Sequence, residues 1–350
     1  MNKKRLVVLL FLLGSFSENL IFAKFSIITC NVLQDSAYRS SFKKEITTYG
    51  ERYKTEWELK KEKRIELFRT FLFDQIFKPN VEVVCMQEWP IVRDSLDPQP
   101  NEKDIKTVKD IENEFIKQDY HFTKQDYDTY YDKQDPENKS LRLKLFTAWK
   151  KVFKFISNQP IYIKTPTTGN QPRCLHVRLQ NAQTQKYLNV INCHFQETQD
   201  TQNWQENTAP QIKSLKTYIK ENNLQNEATI ICGSFNYDTY NNATNFSILE
   251  TEFKELNFIP LDTNIKTYSS DVTHPEKLNN IVISKEYLKE IAPLEKYSEL
   301  DNLLSHRKDK SQSNYFSDNI WIKAHLDFST PKESTSFWES IINFFKNLFS

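Results

Sequence analysis

The sequence predicts one mixed α/β domain over about residues 24–329, and three observations support this fold class. Short apolar, β-branched runs alternate with longer segments whose apolar residues recur at helical spacing. Two of the short runs flank a polar turn, as in a hairpin, so the strand order is mixed rather than purely parallel. Several runs end in an asparagine, glutamate or histidine. This pattern is typical of two-layer or multilayer α/β folds.

The first half of the chain is predicted to contain four strands and two helices. A helical stripe of apolar residues precedes Pro79, which ends the first helix. Residues 91–140 are polar and aromatic, and they predict the second helix within a long insertion. The other elements are predicted at residues 24–32 (strand), 55–77 (helix), 81–86 (strand) and 143–163 (two weaker strands).

The second half is predicted to contribute a hairpin, a helix and three further strands. The helix has Pro210 near its start and apolar residues at helical spacing. The strands are short and rich in isoleucine and valine, which is typical of buried strands. The elements are predicted at residues 174–179 and 187–194 (hairpin), 208–220 (helix), and 228–232, 277–284 and 320–328 (strands).

Residues 1–23 have the pattern of a signal peptide. Lys3, Lys4 and Arg5 precede the apolar run 6–13, and small residues follow at suitable cleavage positions. The run is too short to span a bilayer. The segment predicts a secreted or periplasmic protein, and the alternative is a buried N-terminal helix.

Residues 330–350 predict a C-terminal amphipathic helix that is separate from the domain. Its large apolar residues share one face, and its polar residues lie opposite. The apolar residues are Phe337, Trp338, Ile341, Ile342, Phe344, Phe345, Leu348 and Phe349. Such a helix docks on its own domain or a protein partner, or lies in a membrane interface. Because residues 334–350 hold a single lysine, Lys346, their charge offers little attraction to lipid, and both possibilities stay open.

Composition limits how this protein can bind phosphate. The four glycines, Gly14, Gly50, Gly169 and Gly233, are far apart in sequence. Glycine-rich phosphate loops need several such residues around one anion, so P-loops and dinucleotide fingerprints are excluded. The formal net charge of +1 gives no overall field that would attract nucleic acid. Any phosphate would therefore be held by side chains or a metal ion.

The five cysteines predict buried free thiols rather than a disulfide framework. Each lies within an apolar run, and no CxxC pair is present, which argues against a zinc knuckle. They are Cys30, Cys85, Cys174, Cys193 and Cys232.

The polar residues that end the strands resemble, in their order, the motifs of the endonuclease/exonuclease/phosphatase superfamily, which has the deoxyribonuclease I fold. The motifs are NVL (31–33), CMQE (85–88), NCHF (192–195), GSFN (233–236) and SDN (317–319). Their spacing resembles the nocturnin-type deadenylase branch most. The resemblance covers about residues 24–329 and implies a four-layer α/β sandwich, with two mixed β-sheets flanked by helices.

The resemblance also implies a metal-dependent phosphoesterase site. The family's glutamate, which binds Mg²⁺ or Mn²⁺, corresponds to Glu88. Catalytic positions of the family motifs correspond to Asn31, His194, Asn236 and Asp318. Hard cations prefer oxygen ligands of this kind, and the chemistry depends on stabilising the charge that develops on the phosphate.

Three positions depart from the family pattern. Ser234 replaces the aspartate of GDxN, Asn279 replaces the aspartate of a late strand, and Asn319 replaces the histidine of SDH. Serine and asparagine do not titrate near neutral pH, so they cannot act as general base or acid. Losing one such group commonly costs 10²–10⁴-fold in rate.

These substitutions favour a secreted relative of the phosphoesterases with lost or strongly reduced hydrolysis and a binding role. The ligand implied is a phosphoester, either RNA or a nucleotide, or a lipid phosphoester. Two alternatives stay open. One is an active Mg²⁺-dependent phosphodiesterase, phosphatase or nuclease in which Asp238 or His274 supplies the lost group. The other is a membrane- or partner-binding module that acts through residues 334–350.

Overall fold

The structure of the protein is a computed structural model. It describes residues 23–32, 62, 65–89, 102–126, 144–165, 169–196, 208–236, 243–261, 279–284, 288–291 and 322–328. Residues 1–22 of the predicted signal peptide, the C-terminal segment 330–350 and the SDN motif lie outside this part of the chain.

Six strands form the first sheet, sheet A. They are β1 (Ala23–Asn31), β2 (Val83–Trp89), β3 (Tyr120–Asp126), β4 (Lys144–Lys150), β11 (Leu288–Ile291) and β12 (Ile322–Phe328). Their order is β11-β12-β1-β2-β4-β3. The central pair β1–β2 is parallel and the other pairs are antiparallel. Sheet A is therefore mixed, with its parallel pair in the middle.

The second sheet, sheet B, repeats this plan. Its strands are β5 (Phe153–Thr165), β6 (Gly169–Asn181), β7 (Tyr187–His194), β8 (Thr229–Ser234), β9 (Phe258–Pro260) and β10 (Asn279–Ser284). Their order is β5-β6-β7-β8-β10-β9. Here β7–β8 is the parallel pair, and the remaining pairs are antiparallel.

Among the described residues, four helices longer than one turn cover the outer faces of the two sheets. They are α1 (described from residue 65 and ending in a π-helical turn, Leu72–Phe77), α2 (Glu102–Lys117), α3 (Ala209–Glu221) and α4 (Ala243–Lys254). In the part of the chain that the structure describes, no helix is both long and apolar enough to cross a membrane.

Three buried apolar clusters join these layers. The cluster between the sheets includes Ile27 and Val83 from sheet A and Val190 and Ile230 from sheet B. A second cluster packs α1 and α2 on sheet A, and a third packs α3 and α4 on sheet B. The order helix, sheet, sheet, helix confirms the four-layer α/β sandwich.

The structure confirms the predicted strands and adds elements that the sequence did not indicate. The insertion at 91–140 contains α2 as expected, but it also supplies β3, an edge strand. Helix α4 and the short strands β9 and β11 were likewise not predicted. An edge strand such as β3 buries mainly Tyr120 and exposes polar residues, so its apolar pattern is too sparse to stand out.

All five cysteine side chains are buried and none is in a disulfide, as the sequence predicted. Burial raises the pKa of the Cys30 thiol well above its usual range. A buried thiol of this kind is unreactive because its thiolate is not formed.

Candidate active site

The predicted site residues that the structure describes lie at one end of the sandwich, because the strands of both parallel pairs end there. Asn31 is the cross-strand partner of Gln87 in sheet A. In sheet B, His194 is the partner of Ser234, and Ser234 is the partner of Asn279. The ends of β1, β2, β7 and β8 and the start of β10 thus share this edge. Ligand sites of α/β proteins assemble at such carboxyl ends.

Glu88 reaches the site through an irregularity in β2. The inward residues of this strand are Val83 and Cys85, so strict alternation would place Glu88 on the outer face with Met86. Glu88 instead has a φ of +57°, and the β2–β4 register shifts between Met86 and Trp89. The bulge turns the Glu88 carboxylate towards Asn31 and His194. It also turns the next residue, Trp89, into the apolar cluster between sheet A and its helices.

The Glu88 carboxylate, Asn31 and His194 form a buried triangle. The Asn31 Nδ2 donates to Glu88 Oε1 at 3.1 Å. His194 Nε2 lies 3.1 Å from the same Oε1 and 3.3 Å from Asn31 Nδ2. A carboxylate only accepts hydrogen bonds, so the arrangement favours a proton on Nε2 that points to Glu88. The Asn31–His194 approach is then a contact between two donors rather than a hydrogen bond.

Gly233 allows β7 and β8 to come together at this edge. Its φ is +134°, and a Cβ built on it would lie 2.0 Å from the carbonyl oxygen of Cys193. No side chain can occupy that space, since real contacts are never so short. The glycine therefore sets the spacing of the strands that present His194 and Ser234.

Ser234 and Asn236 form a closed hydrogen-bond chain beside the triangle. The Ser234 hydroxyl donates to Asn236 Oδ1 at 2.6 Å, and Asn236 Nδ2 donates to the Phe195 carbonyl at 2.6 Å. Asn236 adopts a φ of +49°, a conformation that asparagine tolerates better than most residues. The Phe195 and Phe235 rings stack below, with centroids 5.1 Å apart. The side chains of Ser234 and Asn236 are both buried.

Residues that the sequence reasoning did not name as site residues support this edge. Gln211, buried on α3, accepts from the Gln196 backbone N–H at 2.8 Å and donates to its carbonyl at 3.2 Å. It thus fixes the segment that follows His194. Between the sheets, Gln87 donates to Asn192 Oδ1 at 2.7 Å. A lone glutamine in a helix carries no sequence signal for such a role.

The structure brings together five of the eight predicted site residues as side chains. They are Asn31, Glu88, His194, Ser234 and Asn236. Asn279 is placed by its backbone opposite Ser234. Asp318 and Asn319 lie outside the described residues, as do Asp238 and His274, the two alternative sources of a base or acid.

No family model and no curated protein sequence matches the chain, whereas solved structures match it closely in fold. The human Nocturnin catalytic domain with bound sulfate has a TM-score of 0.57 at 13% identity, covering 87% of this chain and 94% of that chain. An endonuclease/exonuclease/phosphatase from Bacteroides vulgatus has a TM-score of 0.53 at 12% identity, covering 88% and 100%. The protein has the endonuclease/exonuclease/phosphatase fold.

A third structure with this fold is that of ANGEL2, a 2',3'-cyclic phosphatase, in complex with adenosine-2',3'-vanadate. Its TM-score is 0.54 at 12% identity, covering 88% of this chain and 96% of that chain. Identities this low establish the fold alone.

The endonuclease/exonuclease/phosphatase fold implies a divalent metal ion. The described residues of this site fit an ion that is held by a single carboxylate. Mg²⁺ is commonly held by one or two carboxylates, with water and ligand phosphate completing its shell. Glu88 supplies one buried carboxylate. Among the described residues, no group of three or more histidine, cysteine, aspartate or glutamate side chains comes together. Glu88 would therefore hold the ion, and the ion's chemistry there would be to polarise a bound phosphate.

Proposed function

We propose that this chain is a member of the endonuclease/exonuclease/phosphatase superfamily that has lost, or strongly reduced, its hydrolytic activity and binds a phosphoester ligand. The observation that carries the proposal is the Ser234–Asn236 hydrogen bond of 2.6 Å. The resemblance places an aspartate at position 234. In this chain the side chain at that position is a neutral donor.

The chemistry of that pair explains the expected loss of turnover. Hydrolysis needs a group that takes a proton from the attacking water. The Ser234 hydroxyl donates its hydrogen to Asn236 Oδ1, and Asn236 Nδ2 donates to the Phe195 carbonyl. Neither side chain titrates near neutral pH. Asparagine also stands at position 279, the cross-strand partner of Ser234, so no carboxylate replaces the lost one from that strand.

The residues that remain are suited to binding. An amide nitrogen carries two hydrogens, so Asn236 can donate one to the Phe195 carbonyl and the other to a phosphate oxygen. Glu88 can hold a divalent ion that bridges to the same oxygens. Removal of two carboxylates from positions 234 and 279 lowers the repulsion that an anionic ligand meets. RNA, a nucleotide and a lipid phosphoester all present this group, and the ligand class is therefore proposed as a phosphoester.

Residues 1–23 support the further proposal that the protein is exported from the cytoplasm, to the periplasm or beyond. The basic start and the apolar run 6–13 supply the pattern of a signal peptide. Sequencing the N-terminus of the protein recovered from its own cells tests this step. An intact Met1 would contradict it.

The apolar face of residues 334–350 supports a second contact, with a membrane or a protein partner. Eight large apolar side chains share that predicted face, far more than a soluble helix exposes without a partner. This contact is independent of chemistry at the site.

A turnover screen tests the function proposed for the site. The full chain is assayed with Mg²⁺ and with Mn²⁺ on RNA, single-stranded DNA, a phosphoinositide and sphingomyelin, beside Glu88→Ala. We expect no turnover above that of Glu88→Ala on any of them, together with measurable binding of at least one. Robust metal-dependent turnover that Glu88→Ala abolishes would overturn the proposal and establish an active phosphoesterase with a rearranged base.

A further inference from the structure

Two of the buried cysteines, Cys174 and Cys193, lie directly opposite each other on neighbouring strands. They are cross-strand partners in the antiparallel pair β6–β7. Both side chains are fully buried in the apolar cluster between sheet B and its helices, so they point to the same face of the sheet. Burial raises the pKa of the Cys193 thiol well above its usual range, and interaction with the Cys174 thiol raises it further. The two thiols are therefore close neighbours.

The hydrogen bonds from β7 to β8 show which kind of antiparallel pair these cysteines form. The backbone N–H groups of Asn189 and Phe195 donate to carbonyls of β8, those of Ala228 and Ser234. Along a strand, the backbone groups of successive residues point to opposite sides. Every second residue from Asn189 to Phe195 therefore directs its backbone groups to β8. Cys193 is one of these residues, so its N–H and C=O do not bond to β6.

The hairpin end of β6–β7 gives the same answer independently. The Asn181 N–H donates to the Lys186 carbonyl, which makes these two residues a hydrogen-bonded pair. Hydrogen-bonded and non-hydrogen-bonded pairs alternate along an antiparallel ladder. The register runs without a shift to Cys174 and Cys193, which lie an odd number of positions away. The two cysteines thus form a non-hydrogen-bonded pair.

A non-hydrogen-bonded pair is well placed for a disulfide bond. Its Cα atoms lie about 4.5 Å apart, and its side chains approach more closely than those of a hydrogen-bonded pair. Disulfides need Cα separations of roughly 4.4–6.8 Å and Cβ vectors that do not point apart. The backbone at Cys174 and Cys193 meets both requirements without moving.

The other three cysteines do not meet these requirements. Cys85 and Cys232 face each other across the two sheets, in the cluster between them. Burial, followed by contact with Cys232, raises the pKa of Cys85. Facing sheets pack about 10 Å apart, whereas a disulfide cannot join Cα atoms more than about 7 Å apart unless the backbone moves. Cys30 lies in the outer cluster of sheet A. The geometry therefore singles out Cys174 and Cys193.

We propose that Cys174 and Cys193 form a disulfide bond when the chain folds in an oxidising compartment. The oxidant is a disulfide, of which oxidised glutathione is the simplest. One cysteine thiolate attacks a sulfur of the oxidant, and the first glutathione thiol leaves. The second cysteine thiolate attacks the protein sulfur of this mixed disulfide, and the second glutathione thiol leaves. The two cysteines lose two electrons, the oxidant gains them, and the two thiol protons end on the two glutathione molecules.

Burial fixes the stage at which this exchange takes place. In the folded chain both thiols lie beneath α3, beside Ile212 and Leu215. A thiol buried in apolar surroundings does not form the thiolate that reacts. The β6–β7 hairpin is local in sequence, and local contacts form early. The pairing of the hairpin therefore brings the two thiols together before α3 covers them.

The bond would join β6 to the end of β7 that presents a site residue. Cys193 immediately precedes His194, and its carbonyl oxygen occupies the space beside Gly233. Oxidising conditions are found outside the cytoplasm, which agrees with the export proposed from residues 1–23. The bond is tested on the purified chain, so it stands or falls separately from export and from the function proposed for the site.

Oxidative refolding of the full chain tests the bond. The chain is unfolded in urea with dithiothreitol, then refolded either in reduced and oxidised glutathione or in dithiothreitol alone. Remaining thiols are counted and blocked with N-ethylmaleimide in urea, and the chain is digested with trypsin. Trypsin releases Cys174 in peptide 174–178 and Cys193 in peptide 187–213. Cys193→Ala is compared with the matched control Cys30→Ala, which removes an equally buried cysteine outside the pair.

We expect the parent chain to keep three of its five thiols after oxidative refolding, with peptides 174–178 and 187–213 linked. Cys30→Ala should form the same link, whereas Cys193→Ala should keep all its thiols. Because the bond closes a loop in the unfolded chain, it should raise the urea midpoint by roughly 1 M in the parent and in Cys30→Ala, and not in Cys193→Ala. A parent chain that keeps five thiols would overturn the proposal. Equal thiol loss in Cys193→Ala, or a link between other cysteines, would overturn it too.

Discussion

Ser234 and Asn279 are cross-strand partners at the edge of sheet B, and His194 flanks Ser234 on its other side. The two positions where the resemblance calls for aspartate are therefore neighbours in space, although 44 residues separate them in sequence. A carboxylate at one position would repel a carboxylate at the other unless a cation lay between them.

Back-substitution should restore hydrolysis. The triple variant Ser234→Asp, Asn279→Asp and Asn319→His returns the family's titratable groups to the scaffold. Since each such group is worth 10²–10⁴-fold, we expect a rise in turnover of at least about 10²-fold over the parent chain. The measurement is the initial rate of hydrolysis with Mn²⁺ on the substrates of the turnover screen.

The same triple variant with Glu88→Gln is the control, and it should be inactive. Single substitutions should recover little, because groups that act as a unit are not additive. If the folded triple variant still showed no hydrolysis, the site would have diverged beyond these three positions.

Replacing Gly233 by alanine should destabilise the fold much more than replacing Gly169, which also has a positive φ. In Gly233→Ala the new Cβ would lie 2.0 Å from the Cys193 carbonyl oxygen, and β7 and β8 would have to separate. We expect a loss of about 3 kcal/mol or more in the free energy of unfolding. The matched control is Gly169→Ala, where φ is +75° and no atom lies within 4 Å of the Cβ.

The control should lose about 1 kcal/mol, which is the cost of the backbone conformation alone. Urea denaturation followed by circular dichroism measures both values. Equal losses would show that the contact with Cys193 is relieved without cost, and would contradict the role given to Gly233.

Glu88 should account for divalent metal binding at the site. Glu88→Gln preserves shape but removes the carboxylate, so Mn²⁺ affinity should fall at least about tenfold. Isothermal titration calorimetry with Mn²⁺ measures the change in the presence of the phosphoester that the screen identifies. Asp110→Asn, at an exposed helix position, is the control and should leave Mn²⁺ affinity unchanged. Loss of affinity in both variants would point to a general effect of net charge.

The sequence was sufficient to predict the strands that build the site, because each is an apolar, β-branched run with a polar end. It was also sufficient to place those ends at one edge, since parallel strands share their carboxyl ends. It could not reveal how Glu88 turns inward. That depends on a bulge with φ of +57°, and a sequence of alternating faces would assign Glu88 to the outer layer. The Gln211 clamp was equally hidden, since its partner is backbone.

Stability should fall in mild acid because of His176, a buried histidine on the outer face of sheet B. Desolvation lowers the pKa of His176 in the folded state, with a hydrogen bond from its ring to Asn189 opposing the shift. The Asn189 amide nitrogen faces Glu227 Oε2 at 2.9 Å, so Asn189 Oδ1 accepts from His176 Nε2 at 3.0 Å. The other ring nitrogen then accepts from the Tyr218 hydroxyl at 2.8 Å. This network is satisfied by neutral imidazole.

The sign of the pH dependence follows from that shift. The unfolded chain protonates His176 near the ordinary histidine pKa, while the folded chain resists protonation until a lower pH. The unfolded state therefore binds more protons as pH falls below that ordinary value, and stability declines by at most about 1.4 kcal/mol per pH unit. Above it, the contribution is constant. Urea denaturation of the parent and of His176→Gln at pH 7.5 and pH 5 measures the effect. The glutamine variant should lose less stability between the two pH values, because all other titrating groups are shared. Parallel losses in the two proteins would show that His176 does not titrate on unfolding in this range.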